Sequence, residues 1–470
     1  MRWSIVIVAA VATAPAAASP GDAPWDGAVF AGPTSPHPAN IAENPAAMLL
    51  ASPGGHFFVG GVGALDQLGF DRRIVDDSGA TQGGPSLDGS TTSAGGHVGA
   101  MWVRSAGMIA IIGRMPVADE TVAGEAALAY HTRGSRTRNL DWTSIAAAYR
   151  VGSRVAFGLG GTYGSRHSVL RFARDTALEA GRDGARGTAS DCGGAPCGLE
   201  NPAATQLWTI DVRSDRFTLD NLTLSGGLLI YLPGEMQFGI TYQRPWNLSR
   251  IDRDGIATVV AAPRDGGAVH SGEATVFDQL PQLVRMGSRS RTLPRWDLVG
   301  ELRWRFLGRA SVDDVRVYGG DLASADVPAI YPRPRGLRNA VALEVGLEEI
   351  DDGQLVRVGA RLGVDTGVVD GEHISPRAPW GRQVTAGGGA QLRLGRWVLQ
   401  ASYGVGFQPS EEASPGAFRP IDRLDCVDSG HDAELPACAT VRAGYGAPTA
   451  AGSYTRWSHV GRLSLRFEVP

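Results

Sequence analysis

Four cysteines fall into two local pairs, Cys192 with Cys197 and Cys426 with Cys438, each inside a polar stretch rich in Gly, Asp and Pro. In an exported chain such thiols meet an oxidising compartment, so the chemistry expected of them is two loop disulfides. Zinc binding is the rival reading, but neither pair has histidine at finger-like spacing and His431 alone stands between the second pair. Enzymatic chemistry has little to work with. There is no Gly-x-Ser-x-Gly elbow, the nine histidines are scattered without metal-ligand spacing, and the glycines from Gly158 to Gly164 lie inside a strand pattern, not at a strand-to-helix turn. The chain is therefore expected not to be an enzyme and to carry no metal and no cofactor.

The richer set of chemically capable side chains is Asp297, Glu301, Arg303, Arg305, Glu344, Arg357, Arg361, Arg462, Arg466 and Glu468. Both signs are interspersed, which points to cross-strand charge ladders inside a structure; a cluster of arginines could instead hold a substrate carboxylate. What positions them is a period of two. Gly461, Leu463, Leu465, Phe467 and Val469 share one parity, and Arg462, Ser464, Arg466 and Glu468 the other. Trp296, Leu298, Leu302, Trp304 and Phe306 oppose Asp297, Glu301, Arg303 and Arg305; Val356, Val358, Ala360, Leu362 and Val364 oppose Arg357, Arg361 and Asp365. Successive strand side chains point to opposite faces, so each run separates an apolar medium from a polar one. A soluble sandwich can alternate in the same way, with its apolar face on a core.

The amino terminus decides between these. Arg2 precedes an apolar stretch from Trp3 to Ala12 and a small-residue site at Ala16 to Ala18, the pattern of a secretory signal peptide spanning residues 1–18. Pro15 and Pro20 interrupt before the roughly 20 apolar residues of a membrane-spanning helix are reached. A membrane protein without such helices must be a closed barrel, which satisfies every backbone group in lipid. Composition agrees: 43% hydrophobic residues and a mean hydropathy of −0.08 fit polar loops and lumen. Net charge is −4, leaving no basic footprint for nucleic acid; all 44 basic residues are arginine, a usage expected first of a GC-rich genome, with forks gripping lipopolysaccharide phosphates as the lesser reading.

About fourteen strands are expected, near residues 55–65, 97–105, 106–115, 139–151, 153–166, 217–231, 235–245, 272–289, 295–307, 338–350, 354–366, 382–393, 395–408 and 456–469. Short turns at 105–107, 151–153, 233–234, 351–353 and 395 alternate with long polar loops. The expected fold is thus an all-β, 14-stranded antiparallel transmembrane barrel, residues 54–470. An even strand count places both termini in the periplasm. Residues 19–53, with Pro, Gly and a short helix-like piece at Ala39 to Glu43, are either a tail or a hatch folded back into the lumen.

Three stretches resemble the FadL-type outer-membrane transporters of long-chain fatty acids and other hydrophobic compounds. They are Asn44-Pro45-Ala46-Ala47-Met48, similar to the family's hatch signature; Leu280 to Gly287 followed by the tryptophan-bearing run from Trp296 to Phe306; and Gly371 to Pro379, similar to a late loop. The resemblance implies an N-terminal hatch with Asn44, Pro45 and Ala46 as its hinge or anchor, and passive passage of apolar molecules into a pocket and sideways into the bilayer. It also implies a monomeric outer-membrane barrel after Sec-type export, with hydrophobic small molecules such as fatty acids as ligands and lipid and lipopolysaccharide as surroundings. Fatty acids lead the expected substrates, aromatic hydrocarbons follow, and a general diffusion porin or a surface-adhesion barrel are the alternatives.

Candidate residues follow from that chemistry. Capture above the sugar layer needs apolar loop residues: Leu170, Phe172 and Leu178, on a stretch Val169 to Gly181 that could form an amphipathic helix, with Leu207, Trp208 and Phe418 beside them. A lateral exit would sit where Gly113 and Pro116 weaken the end of the third strand.

Overall fold

The computed structural model describes residues 29–75, 81–115, 119–122, 135–175, 203, 205–214, 218–247, 251–278, 281–307, 312–325, 327, 329–334, 337–350, 354–369, 374, 380–413 and 451–470. Both cysteine pairs, the segment 1–28, Pro116, Leu178 and Phe418 lie outside them.

Among the described residues twenty strands form one antiparallel sheet, and fourteen of them close into a barrel. In ring order these are β1 (Gly54–Val75), β2 (Thr81–Val103), β3 (Gly107–Met115), β5 (Ser135–Val151), β6 (Val155–Asp175), β8 (Leu222–Leu232) and β9 (Met236–Pro245). The ring continues through β12 (Gln282–Leu293), β13 (Trp296–Phe306), β16 (Ala340–Glu349), β17 (Val356–Asp365), β18 (Gln383–Leu394), β19 (Trp397–Ala413) and β20 (Gly452–Val469). Closure is made by β20 on β1, from Gly55↔Val469 to Arg72↔Gly452. Every neighbour around the ring is the next barrel strand in sequence, as up-and-down meanders require.

The alternation expected from sequence is observed on the described walls. Leu298, Trp304, Leu343, Leu362, Val364 and Leu463 face outward and are exposed, while Glu301, Arg303, Arg305, Glu344 and Arg361 on the same strands are buried inside. Apolar side chains outside and charges inside invert the arrangement of a soluble domain, and match a bilayer around the barrel. Aromatic side chains sit on the outer wall near the turn end (Trp102, Tyr149, Trp397) and towards the loop end (Trp304, Tyr403, Trp457), where amphipathic rings meet headgroups. The tight turns share the end that holds Gly54 and Pro470. At two of them Gly152 (φ +61) and Gly395 (φ +60) supply the left-handed residue that a short connection between twisted strands needs.

The structure corrects the expectation at three places. The run 272–289 is not one strand: residues up to Asp278 belong to β11 (Val269–Asp278) and the barrel strand begins at Gln282. Residues 169–175 are not helical but continue β6, paired with β5 at Ser135↔Leu170 and with β7 (Thr205–Ser214) from His167↔Arg213 to Asp175↔Thr205. A helix there would leave both neighbouring ladders without partners. The polar stretches between meanders also carry strands: β4 (Asp119–Val122), β7, β10 (Ile251–Val260), β11, β14 (Val312–Tyr318) and β15 (Ile330–Pro334). From β7 onward they extend the outer end of β6 into a lobe paired in the order β6, β7, β10, β11, β14, β15.

Candidate transport lumen

The barrel interior has two unlike walls. From β1 to β8 it is mainly small and apolar, with Phe58, Met101, Val103, Met108, Ala110, Ile112, Ala146, Ala148, Ala156 and Leu229 in one buried cluster and His97, Arg114 and Arg150 among the polar members of this wall. From β12 to β17 it is charged and paired. Arg285 forks onto Glu301 at 2.6 and 2.8 Å, Arg289 bridges Asp297 (3.0 Å) and Glu348 (2.5 Å), Arg361 holds Glu348 at 2.7 Å, Arg303 pairs with Glu344 and Arg305 with Asp365. The interspersed signs read from the sequence thus neutralise one another across adjacent strands. Buried guanidinium and carboxylate groups are tolerated when they are paired in this way.

Residues 29–51 run between these walls as a chain of turns with two 3-10 segments, Pro38–Ile41 and Pro45–Leu50. Pro33, Pro36, Pro38 and Pro45 lack backbone N–H groups, which leaves fewer donors to satisfy along this buried path. Its apolar side chains Ile41, Ala46, Met48 and Leu49 join the apolar wall. Its polar atoms turn to the charged one: the Phe30 amide donates to Glu348 Oε1 (2.7 Å), Arg361 donates to Ala31 O (2.6 Å), and Glu43 pairs with Arg285. Gln243 donates to Ala42 O at 2.6 Å, Gln400 to Val29 O at 2.7 Å and Arg150 to Leu49 O at 2.9 Å.

Asn44, Pro45 and Ala46 are all buried here. Asn44 donates from Nδ2 to Pro33 O at 2.7 Å, and its own carbonyl accepts the Ala47 amide at 3.0 Å, so it braces one turn of the segment against the next. The wall makes room for them with glycine. A Cβ on Gly158 would overlap the Ala46 backbone, and one on Gly227 would overlap the Asn44 side chain. Sequence reading took the glycine-rich Gly158 to Gly164 run only as strand, and this close approach of two backbones is visible solely in the packed chain.

At the turn end a cavity of about 240 Å³ remains between the segment and the wall, bordered by Phe30, Leu50 and Phe58 on its apolar side and by Arg357, Gln400 and Arg466 on its polar side. The Arg357 guanidinium lies 4.8 Å over the Phe30 ring and donates to Gln391 Oε1 at 2.7 Å.

Gly113 stays within two unbroken ladders, opposite Val98 on β2 and Thr143 on β5. The irregularity falls beyond it. Among the described residues the flanking β2 pairs are Gly96↔Met115 and Thr92↔Glu120, so the β3–β4 side carries one residue more than β2, while against β5 the register is unchanged. Such an extra residue loosens a ladder locally. Leu170 and Phe172 are buried in the outer lobe, where Phe172 stacks on Trp208 at 5.3 Å, together with Ile210, Val212, Val259 and Val276.

No family model and no curated protein matches the sequence. Solved structures do match the fold. A FadL homologue from Pseudomonas aeruginosa superposes with a TM-score of 0.69 at 14% identity, over 94% of this chain and 96% of that one. The Pseudomonas putida toluene transporter TodX gives 0.63 at 13% identity over 97% and 99%, and the Ralstonia pickettii toluene transporter TbuX 0.56 at 13% over 92% and 94%. These likenesses run through the whole barrel and concern architecture, and the chain accordingly has the fold of the FadL-type outer-membrane barrels.

Proposed function

We propose that this protein is a passive outer-membrane transporter for hydrophobic compounds. The observation that carries the reading is the apolar wall inside the lumen, occupied by Ile41, Met48 and Leu49 of the inner segment. A porin for polar solutes has no use for a greasy inner face, whereas a path for apolar molecules requires one. In this reading residues 1–18 direct export, residues 19–53 are the hatch, and Asn44-Pro45-Ala46 anchor it on the glycine seat. Apolar molecules are captured at the loop end, enter when the hatch shifts, and leave sideways where β2 and the β3–β4 edge fall out of register. Both the FadL homologue and the toluene transporters among the structural neighbours support it. Long-chain fatty acids are the first substrate class and monoaromatic hydrocarbons the second.

The test is purified protein in liposomes, assayed for uptake of a labelled long-chain fatty acid and of labelled toluene, alongside ion conductance. Uptake of either with low steady conductance, lost on deleting residues 19–52, is the expected result. Large steady ion conductance with no gain in apolar uptake removes the proposal.

A further inference from the structure

One carboxylate of the inner segment reaches towards both walls. Glu43 is 4% exposed and pairs with Arg285 of β12, which in turn grips Glu301. Glu43 also interacts electrostatically with Arg114 of β3, on the opposite wall. Arg114 shares its parity with buried Ala110 and Ile112 and so turns inward, while Ile109 and Ile111 face outward. Its cross-strand partner is His97 of β2, buried to 4% exposure, at the last regular pairs before the register changes. His97 is in turn within electrostatic reach of His37 of the segment. The 3-10 turn that precedes Glu43, Pro38–Ile41, touches β3 itself.

We propose that Glu43 is a positioning residue that ties the inner segment at once to the charged wall through Arg285 and to the β2–β3 seam through Arg114. The segment and the seam then open together. The inference rests on the transport reading, which supplies the role of the seam. Its physics does not depend on any substrate: a buried carboxylate between two guanidinium groups stabilises both contacts, and its neutralisation weakens both at once, with Arg285 keeping its bond to Glu301.

Hydrogen–deuterium exchange on the full-length protein in detergent micelles tests this, with Glu43→Gln, Arg114→Gln and the double variant read at residues 38–50 and 107–115. Each single substitution is expected to raise exchange about tenfold in both stretches, the weakening of one buried charged contact, and the double variant to add little beyond the larger single effect. Exchange raised by Glu43→Gln in residues 38–50 alone, or two effects that simply add, overturns the proposal. Should Glu43→Gln fail to form a heat-modifiable barrel, Arg114→Gln decides: raised exchange at 38–50 supports the tie, unchanged exchange there refutes it. No substrate enters the measurement, so failed uptake in liposomes and a failed exchange experiment are separate results.

Discussion

At the scale of single residues, the lumen is governed by groups that would be costly alone. Glu348 is fully buried and accepts from the Phe30 amide, Arg289 and Arg361. Glu348→Gln removes one charge and leaves two guanidinium groups under-neutralised, so a loss of about 3–5 kcal/mol is expected, read from the urea midpoint of the heat-modifiable band on gels. An unshifted midpoint would mean that water reaches the pair. Space matters as much as charge: Gly227→Val forces its side chain into Asn44. The barrel should still form, because the ladder is intact, yet the inner segment should be displaced and steady conductance in planar bilayers should rise.

At the scale of elements, β6 is shared by two structures. Its lower half pairs with β8 in the ring, from Val155↔Ile230 to Tyr163↔Leu222, and its upper half pairs with β7 in the outer lobe. The lobe has its own apolar cluster centred on Trp208 and Phe172, both fully buried. Trp208→Ala should cost the lobe about 3–5 kcal/mol while leaving the ring's ladders untouched. Limited proteolysis is expected to cut within 205–214 and 251–278 sooner, with the barrel's melting temperature unchanged; a lowered barrel melting temperature would show the two to be one cooperative unit. The lobe was illegible beforehand because Gly, Asp, Pro and Arg dominate its surroundings and read as loop. The available signal was Trp208, Ile210 and Val212 on one parity. For residues 169–175 the apolar positions Leu170 and Phe172 fit a strand as readily as a helix, and only the neighbouring edges decided.

At the scale of the whole molecule, the barrel separates lipid from an interior with one apolar and one charged wall across a single layer of backbone. Leu362 is exposed on the outer face near the middle of β17, one residue from buried Arg361. Leu362→Arg should therefore destabilise folding into lipid vesicles by about 2–4 kcal/mol, as arginine does near a bilayer midplane. Equilibrium urea titration into vesicles measures it, and a neutral effect would place this face against water.

The period of two, the run of short turns and the leading apolar stretch determined a closed barrel of fourteen strands by themselves, because lipid outside and water inside impose opposite chemistries on adjacent residues. The pairing of lumen charges was legible for the same reason: Glu301, Arg303 and Glu344 could only point inward. What the tertiary structure alone decided was where residues 29–51 go. Their fit depends on glycine gaps in β6 and β8, strands that lie more than a hundred residues away in sequence, and on Arg285 and Glu348 at matching heights of the wall. Local pattern carries no information on such long-range complementarity. The one-residue change of register between β3 and β4 likewise exists only relative to β2, since register belongs to a pair of strands and not to either one.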